Sequence, residues 1–213
     1  MLTASGAALG LWAVILTLDG YFQEALWVLA AAVFIDSVDG TMARRINVSR
    51  HAPLIRGDLL ENIVDFVTWT LAPLFWAYAV VQVPAWVVLG CTLTSALQFS
   101  HADAKSEDHF FTGFPSYWNI VVLYLYLLEL PPEICAGVLL IFAVVTLLPV
   151  RFVYPTRTPH LQTLTLALGG IYFAQLLALV ILLDSAPVWL VYSSFLFPFY
   201  YFGLSLYLNA RGE

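Results

Sequence analysis

The sequence predicts an all-α integral membrane protein, a bundle of about eight transmembrane helices with both termini in the cytoplasm. Hydrophobic residues make up 62% of the 213 residues and charged residues only 10%, whereas soluble domains keep about a quarter of their residues charged. The apolar residues form long runs, and the basic residues lie in alternate connections between them. This composition excludes a soluble enzyme, and the net charge of −6 excludes a nucleic-acid partner.

The apolar runs define the individual helices, because about 20 apolar residues are needed to cross a hydrocarbon core of about 30 Å. The uncharged run from 66 to 102 is too long for one helix and is divided at Gln82-Val83-Pro84. The first run has no basic residue before it, which favours a membrane span over a cleaved signal sequence. Helices are predicted over residues 2–18, 21–43, 57–81, 84–100, 114–130, 133–150, 160–183 and 186–208. Residues 1–213 are expected to form a single transmembrane domain.

The basic residues predict the orientation, since cytoplasmic loops carry an excess of Lys and Arg. In the eight-helix partition all 8 of them fall on one side, at Arg44, Arg45, Arg50, Arg56, Lys105, Arg151, Arg157 and Arg211. The connections on the other side carry only acids, which are Asp19, Glu24, Glu129, Glu133 and Asp184. The side that holds the basic residues is therefore predicted to be cytoplasmic.

Five acidic residues lie close to the predicted cytoplasmic end of the bundle. Asp36 and Asp39 end the second helix, and Asp58, Glu61 and Asp65 follow at spacings of three and four along the third. These spacings place the acids of each helix on one face, and ionisable groups at membrane depth indicate a functional site. Hard oxygen ligands suit Mg²⁺ or Mn²⁺, which share their coordination sphere with substrate phosphates.

The alternative is a structural role for these acids, in which they anchor helix ends by pairing with Arg44, Arg45, Arg50 and Arg56. An anchor requires only one or two charges, whereas five acids at one-face spacing favour a binding site. Gly40 and Gly57 beside them also favour such a site, because a backbone without a side chain lets a phosphate or a helix approach closely.

The acidic motif resembles that of the CDP-alcohol phosphotransferases, Asp-x2-Asp-Gly-x2-Ala-Arg followed after a spacer by Gly-x3-Asp-x3-Asp. This chain has Asp36-Ser-Val-Asp39-Gly40-Thr-Met-Ala43-Arg44 and then Gly57-x3-Glu61-x3-Asp65. Over nearly its whole length the chain is also similar to the branch of the family whose acceptor is choline. The segments that carry this similarity include Glu-Asn-Ile-Val-Asp-Phe-Val-Thr at 61–68 and Phe-Phe-Thr-Gly-Phe-Pro at 110–115.

The resemblance implies an enzyme that transfers the phosphatidyl group of CDP-diacylglycerol to choline and releases phosphatidylcholine and CMP. It implies Mn²⁺ or Mg²⁺ as cofactor, with metal ligands at Asp36, Asp39, Glu61 and Asp65. Asp65 is also expected to act as general base for the choline hydroxyl. Arg44 is expected to pair with phosphate, and the other residues that bind CDP-diacylglycerol are expected to be Gly40, Ala43, Gly57 and Asp58.

The implied location is the inner membrane of a bacterium, with the active site on the cytoplasmic side. The expected partners are CDP-diacylglycerol, choline and membrane lipids, and the sequence is compatible with a homodimer. Glu61 departs from the family Asp by one methylene, which leaves three consequences open: reduced activity, a changed metal, or recruitment of Asp58 as a ligand. Two alternatives to choline transfer stay open: transfer to serine, inositol or glycerol phosphate, or an inactive structural relative. A transporter is disfavoured because no internal repeat is visible.

Choline is a permanent cation without N–H donors, so aromatic faces and carboxylates should receive it. Acceptors that carry a phosphate would instead need further basic residues, and the chain has few outside the motif loop. The aromatic residues predicted near the cytoplasmic half are Phe66, Trp69, Trp76, Tyr78, Tyr117, Trp118 and Tyr154.

Overall fold

A computed structural model describes residues 2–45, 56–101, 110–155, 158 and 160–211, with the backbone alone described for 38–45. The helices are α1 (Leu2–Leu18), α2 (Phe22–Arg45), α3 (Gly57–Asp65), α4 (Ala72–Ala79), α5 (Ala85–Ser100), α6 (Trp118–Leu127), α7 (Pro132–Leu147), α8 (Gln162–Ile181), α9 (Val188–Ser194) and α10 (Leu196–Arg211). A π-helical segment, Phe66–Leu71, joins α3 to α4, and strands β1 (Phe110–Thr112) and β2 (Arg151–Val153) pair antiparallel. The fold is therefore all-α apart from one short ladder.

The eight predicted helical segments are confirmed as helices, with two internal departures. The third is α-helical only to Asp65 and from Ala72 onward, with the π-helical segment between. The eighth is divided at Phe195 into α9 and α10. Hydropathy detects neither break, because both leave the apolar run intact.

The predicted start of the fifth helix at residue 114 is wrong, since α6 begins only at Trp118. The preceding residues are held out of the helix by their backbone: Gly113 has φ +79° and Ser116 has φ +54°. A Cβ atom on Gly113 would collide with the carbonyl oxygen of Thr146, so the chain can pass this point only as glycine. The segment before α6 is consequently extended, and part of it forms β1.

Contacts between helix ends bring several connections to one end of the bundle. Asn62 in α3 donates to the carbonyl of Phe99 near the end of α5 (3.4 Å). Asn209 near the end of α10 binds the backbone of Arg151 in β2. Arg56 precedes α3 and Arg211 ends α10, so the basic residues that the structure describes all lie at this end.

The opposite end is held by a second set of side-chain to backbone hydrogen bonds. The Gln23 amide in α2 donates to the carbonyls of Val180 and Ile181 at the end of α8 (2.7 and 2.9 Å). The Trp76 indole in α4 donates to the carbonyl of Phe22 (3.0 Å). At this end the N-terminal part of α2 contacts the C-terminal ends of α4 and α8, as expected of a bundle of antiparallel helices.

The first helix packs closely on α3 through small residues. Gly6, Gly10, Ala13 and Thr17 form its buried face. A Cβ atom on Gly6 would meet Val64 at 2.5 Å, and one on Gly10 would meet Val67 at the same distance. Small residues at such spacing allow close helix contacts in membranes, and here they bring the backbone of α1 against residues on either side of Asp65.

The outside of the bundle is apolar. In α5, Leu89, Leu93 and Leu97 form an outward row, each more than 60% exposed. Within the described residues, two helical stretches are both long and apolar enough to cross a membrane: α8, Gln162–Ile181, and the combined span of α9 and α10, Val188–Arg211. Apolar side chains facing outward around a bundle are the surface that lipid solvates, and the protein is an integral membrane protein.

Candidate active site

A cavity of about 670 Å³ lies inside the bundle and contains the acids predicted to act together. Asp36 from α2 and both Glu61 and Asp65 from α3 line it. All three side chains are partly buried, and the Oδ1 atom of Asp65 is fully shielded from solvent. The fold thus brings acids from two separate segments of the chain to the wall of one cavity.

The backbone changes its winding directly after Asp65. In the π-helical segment that follows, the N–H of Ala72 bonds to the carbonyl of Val67, five residues earlier. Such wider turns frequently occur at functional sites in helices. Trp69, four residues after Asp65, lines the same cavity. Asp65 and the segment that follows it thus present a carboxylate and an aromatic ring to one cavity.

The oxygen atoms of Asp36, Glu61 and Asp65 fit Mg²⁺ or Mn²⁺ in their chemistry, because these hard cations prefer carboxylate ligands. Among the described side chains, however, no three His, Cys, Asp or Glu residues are close enough together to hold a metal ion. The side chain of Asp39, the fourth predicted ligand, lies outside the described residues, as do those of Ala43 and Arg44 and the surroundings of Gly40.

Asp58 and Gly57, two of the residues predicted to bind the nucleotide, do not line the cavity. Asp58 Oδ2 lies 2.7 Å from Arg56 Nη2, and both side chains are largely exposed. The hydrogen bond and charge of Asp58 raise the pKa of Arg56. For Asp58 the structure therefore shows an ion pair with an arginine, as expected if this acid anchors a helix end. A Cβ atom on Gly57 would meet nothing within 4 Å, which leaves open space beside the start of α3.

The seven aromatic candidates divide into three groups. Trp69, Tyr117 and Tyr154 line the cavity. Trp76 and Trp118 are fully buried and their indole N–H groups bind elsewhere in the protein. Outside the cavity lining, Phe66 packs edge-on against Phe99, and Tyr78 is 49% exposed.

Tyr117 packs within a cluster of aromatic rings. Its ring centroid lies 6.3 Å from that of Tyr201 and 6.1 Å from that of Phe114. The Tyr201 hydroxyl donates to the carbonyl oxygen of Val153 (3.0 Å), which holds the Tyr201 ring in place. The Tyr117 hydroxyl also lies near Asp65 and Tyr154, so it stands beside the acidic part of the cavity.

A buried polar cluster fixes the segment that carries Tyr117. Ser116 Oγ lies 3.0 Å from Ser95 Oγ and 2.7 Å from Gln98 Oε1, and the Trp118 indole donates to Ser95 Oγ (2.8 Å). The Gln98 amide donates to the carbonyl oxygen of Phe114 (2.6 Å). In a low-dielectric interior such fully bonded clusters hold one conformation, and this one attaches residues 114–118 to α5.

Phe111, Asn119 and Tyr201 are among the cavity residues that sequence reasoning missed. Phe111 stacks on Tyr154 with centroids 4.4 Å apart, across the β1–β2 ladder. Phe111 belongs to a segment that resembles the choline branch, and that similarity was the only signal for it. Tyr201 lies in the last apolar run, where nothing in the sequence separates it from tyrosines that face lipid.

A lipid-facing helical bundle with an internal cavity, whose mainly apolar and aromatic wall carries three carboxylates, defines an integral membrane protein with a candidate ligand site between its helices. Residues 1–149 match the family model of the CDP-alcohol phosphatidyltransferases, and the chain belongs to that family. Several residues that line the cavity, Tyr154 and Tyr201 among them, follow the matched region.

The curated relatives share one description. The chain is 40% identical to the phosphatidylcholine synthase of Legionella pneumophila over 164 residues, which are 75% of this chain and 64% of that protein. It is 36% identical to the phosphatidylcholine synthase of Legionella bozemanae, covering 73% of this chain and 74% of the relative. The phosphatidylcholine synthase of Pseudomonas aeruginosa is 30% identical, covering 98% of this chain and 90% of the relative. The aligned region therefore spans slightly less than two thirds of the Legionella pneumophila protein and most of the other two.

Proposed function

We propose that the protein is a CDP-diacylglycerol–choline phosphatidyltransferase, which transfers a phosphatidyl group to choline and releases phosphatidylcholine and CMP. The family match and the relatives named phosphatidylcholine synthase support this activity. The observation that carries the proposal is the composition of the cavity, which has carboxylates and aromatic rings on its wall. None of its lining residues in the described part of the chain is Lys, Arg or His. That lining suits a cationic alcohol better than an alcohol that carries a phosphate.

In this proposal Asp36, Asp39, Glu61 and Asp65 would hold Mn²⁺ or Mg²⁺. Such an ion would supply positive charge to the pyrophosphate of CDP-diacylglycerol and would polarise the phosphorus–oxygen bond. Asp65 accepts the proton of the choline hydroxyl as the oxygen attacks phosphorus. Arg44 pairs with a phosphate oxygen, and Gly40, Ala43, Gly57 and Asp58 contact the rest of the nucleotide. The partial burial of Asp65 favours a base, because it removes competing water.

The proposal places the whole chain, residues 1–213, in one transmembrane domain with eight spans and cytoplasmic termini. Cavity residues on α2, α3, α8 and α10 support one domain, and the described basic residues at one end support the orientation. The active site then faces the cytoplasm in a bacterial inner membrane. A homodimer stays a prediction from the sequence.

An acceptor panel in vesicles tests the proposed activity. Purified protein, CDP-diacylglycerol and Mn²⁺ or Mg²⁺ are combined with choline, serine, inositol, glycerol 3-phosphate or water, and CMP and the lipid product are measured. We expect phosphatidylcholine and CMP in equal amounts with choline and little product with the others. Preference for another alcohol would show that this alcohol, and not choline, is the acceptor. Absence of CMP with every alcohol would indicate an inactive relative.

The orientation is tested separately by cysteine labelling of intact cells. The native Cys91 and Cys135 are buried, so single cysteines at positions 50 and 184 report on their own loops. We expect an impermeant reagent to label position 184 from outside and position 50 only after permeabilisation. Labelling of both positions from the same side would contradict the eight-span arrangement.

A further inference from the structure

The ring faces of Trp69 and Tyr117 form an aromatic corner on the wall of the acidic cavity. Their centroids are 5.3 Å apart and their planes meet at 53°, and both side chains line the cavity. A cation held on the cavity side of this pair can lie within about 6 Å of both centroids, the distance at which cation–π attraction is appreciable. The corner is therefore suited to a cation too bulky to enter between the rings.

The rings are held in place before any ligand binds. Trp69 belongs to the π-helical segment that begins directly after Asp65. Tyr117 packs against the rings of Tyr201 and Phe114, with centroids 6.3 and 6.1 Å away, and its backbone is attached to α5 through the neighbouring Ser116. Its neighbours thus hold the Tyr117 ring in place on the cavity wall.

A third ring comes from the β1–β2 ladder. Tyr154 follows β2 and stacks on Phe111 of β1, and its backbone N–H is bonded to the buried hydroxyl of Thr158 (2.8 Å). The Tyr154 side chain lines the cavity and lies near the Tyr117 hydroxyl. Three elements that are distant in the sequence thus supply aromatic rings to one region of the cavity.

Two acidic residues on the cavity wall supply negative charge to the helix that carries Trp69. Asp65 lies four residues before Trp69 on the cavity wall, and Glu61 lies one turn further back. A trimethylammonium group has no N–H donor, so it gains nothing from hydrogen-bond acceptors and is attracted instead by ring faces and by net negative charge. A primary ammonium group would lose part of its hydration at the rings without replacement hydrogen bonds.

We propose that Trp69, Tyr117 and Tyr154 form the subsite that receives the trimethylammonium group of choline and so determines the choice of acceptor. This inference rests on the proposed choline transfer and adds the residues that recognise the acceptor. The choline hydroxyl, two carbons from the nitrogen, then points from the aromatic corner toward Asp65.

A neutral analogue of choline separates charge recognition from shape. In 3,3-dimethylbutan-1-ol a tert-butyl group replaces trimethylammonium, so the two alcohols have nearly the same size and differ in charge. The measured quantity is the ratio of kcat/KM for choline to that for the neutral alcohol, with CDP-diacylglycerol in vesicles. The variants are Trp69→Leu, Tyr117→Leu and Tyr154→Leu, with Trp69→Phe and Tyr117→Phe as ring-preserving counterparts. Tyr78→Leu, at an exposed aromatic residue in α4, is the matched control.

We expect each Leu variant to lower the ratio about tenfold, mainly through a higher KM for choline. The Phe variants should keep most of the ratio, and Tyr78→Leu should leave it unchanged. Transfer to the neutral alcohol shows that each variant is folded and still uses CDP-diacylglycerol. If Trp69→Leu abolishes transfer to both choline and the neutral alcohol, that variant does not report on charge recognition. The ratio in Trp69→Phe and in the Tyr117 and Tyr154 variants then tests the aromatic subsite.

Two different failures are distinguishable. If the wild-type protein does not use choline but releases CMP with another alcohol, the proposed function is wrong. If the wild-type protein uses choline and the three Leu variants keep the wild-type ratio, the function stands and the aromatic subsite is wrong.

Discussion

The two ends of the bundle both carry acidic residues beside a cavity and a tyrosine, yet they differ in what the acids contact. At the end proposed to be external, a cavity of about 440 Å³ is lined by Glu129, Asp184 and Tyr126. Asp184 is exposed and accepts a hydrogen bond from the Tyr126 hydroxyl (2.7 Å). At the other end, Asp36, Glu61 and Asp65 are partly buried in the large cavity.

The difference shows that acidity alone does not identify a site. Exposed carboxylates such as Asp184 and Glu129 are solvated by water and need no cation. Carboxylates that are partly buried inside the bundle lose part of that solvation, which a bound cation can replace. The acids of the large cavity are therefore expected to control catalysis, and those of the opposite end are expected to be replaceable.

Removal of divalent metal should have the largest effect. With EDTA in excess, choline transfer should fall to background, because the carboxylates and the pyrophosphate then repel each other. Activity should return on addition of Mn²⁺ or Mg²⁺ above the chelator concentration, as measured by CMP release. Full activity in excess EDTA would show that the acidic cavity works without a metal.

Asp65→Asn should lower choline transfer by about two orders of magnitude or more, because the amide cannot accept a proton. The affinity for CDP-diacylglycerol should survive, since the shape and part of the coordination capacity remain. The matched control is Asp184→Asn, which removes an exposed acid at the opposite end and should leave turnover unchanged. Transfer close to the wild-type rate in Asp65→Asn would refute the base assignment and favour Glu61 or Asp58.

Asp36→Asn should weaken the binding of CDP-diacylglycerol and also lower the rate of choline transfer. As a metal ligand without a role in proton transfer, Asp36 should affect the affinity for CDP-diacylglycerol as well as the rate, so the measurement is lipid-nucleotide binding beside turnover. Glu24→Gln, at the other end of the same helix, serves as the control. A variant that binds CDP-diacylglycerol as tightly as the wild type would remove Asp36 from the ligand set.

Gly113→Ala should destabilise the protein by about 2 kcal/mol or more, because the new Cβ atom strikes the Thr146 carbonyl in a positive-φ conformation. Gly90→Ala is the matched control, since nothing lies within 4 Å of its Cβ position. Thermal unfolding in detergent measures both variants. Equal midpoints for the two variants would show that the extended segment before α6 tolerates a side chain.

Glu61→Asp should have the smallest effect and restores the family pattern. We expect choline transfer to stay the same or to rise a few-fold, because the shorter side chain returns the oxygen to the usual ligand position. Glu129→Asp at the opposite end should change nothing. A large loss of activity in Glu61→Asp, measured with both metals, would mean that the site has adapted to the longer side chain.

The helices could be predicted from the sequence because burial in lipid demands long apolar runs. The acidic spacing also predicted that Glu61 and Asp65 would share one face, and both line one cavity. The start of α6 could not be predicted, because Phe114 and Tyr117 are as apolar as helix residues, whereas the positive φ angles of Gly113 and Ser116 that exclude a helix there are seen only in the structure. The ion pair of Asp58 was equally hidden, since its spacing matches that of the cavity acids.

By itself the sequence determined the membrane class, the helical segments, the family motif and the asymmetry of basic residues, because these follow from hydrophobicity and local spacing. Tertiary structure alone decided which aromatic residues face the acids. Trp69, Tyr117, Tyr154 and Tyr201 come from four separate segments. Their meeting depends on the π-helical turn after Asp65, the positive-φ bend before α6 and the pairing of β1 with β2, and the pattern of apolar and polar residues specifies none of these three features.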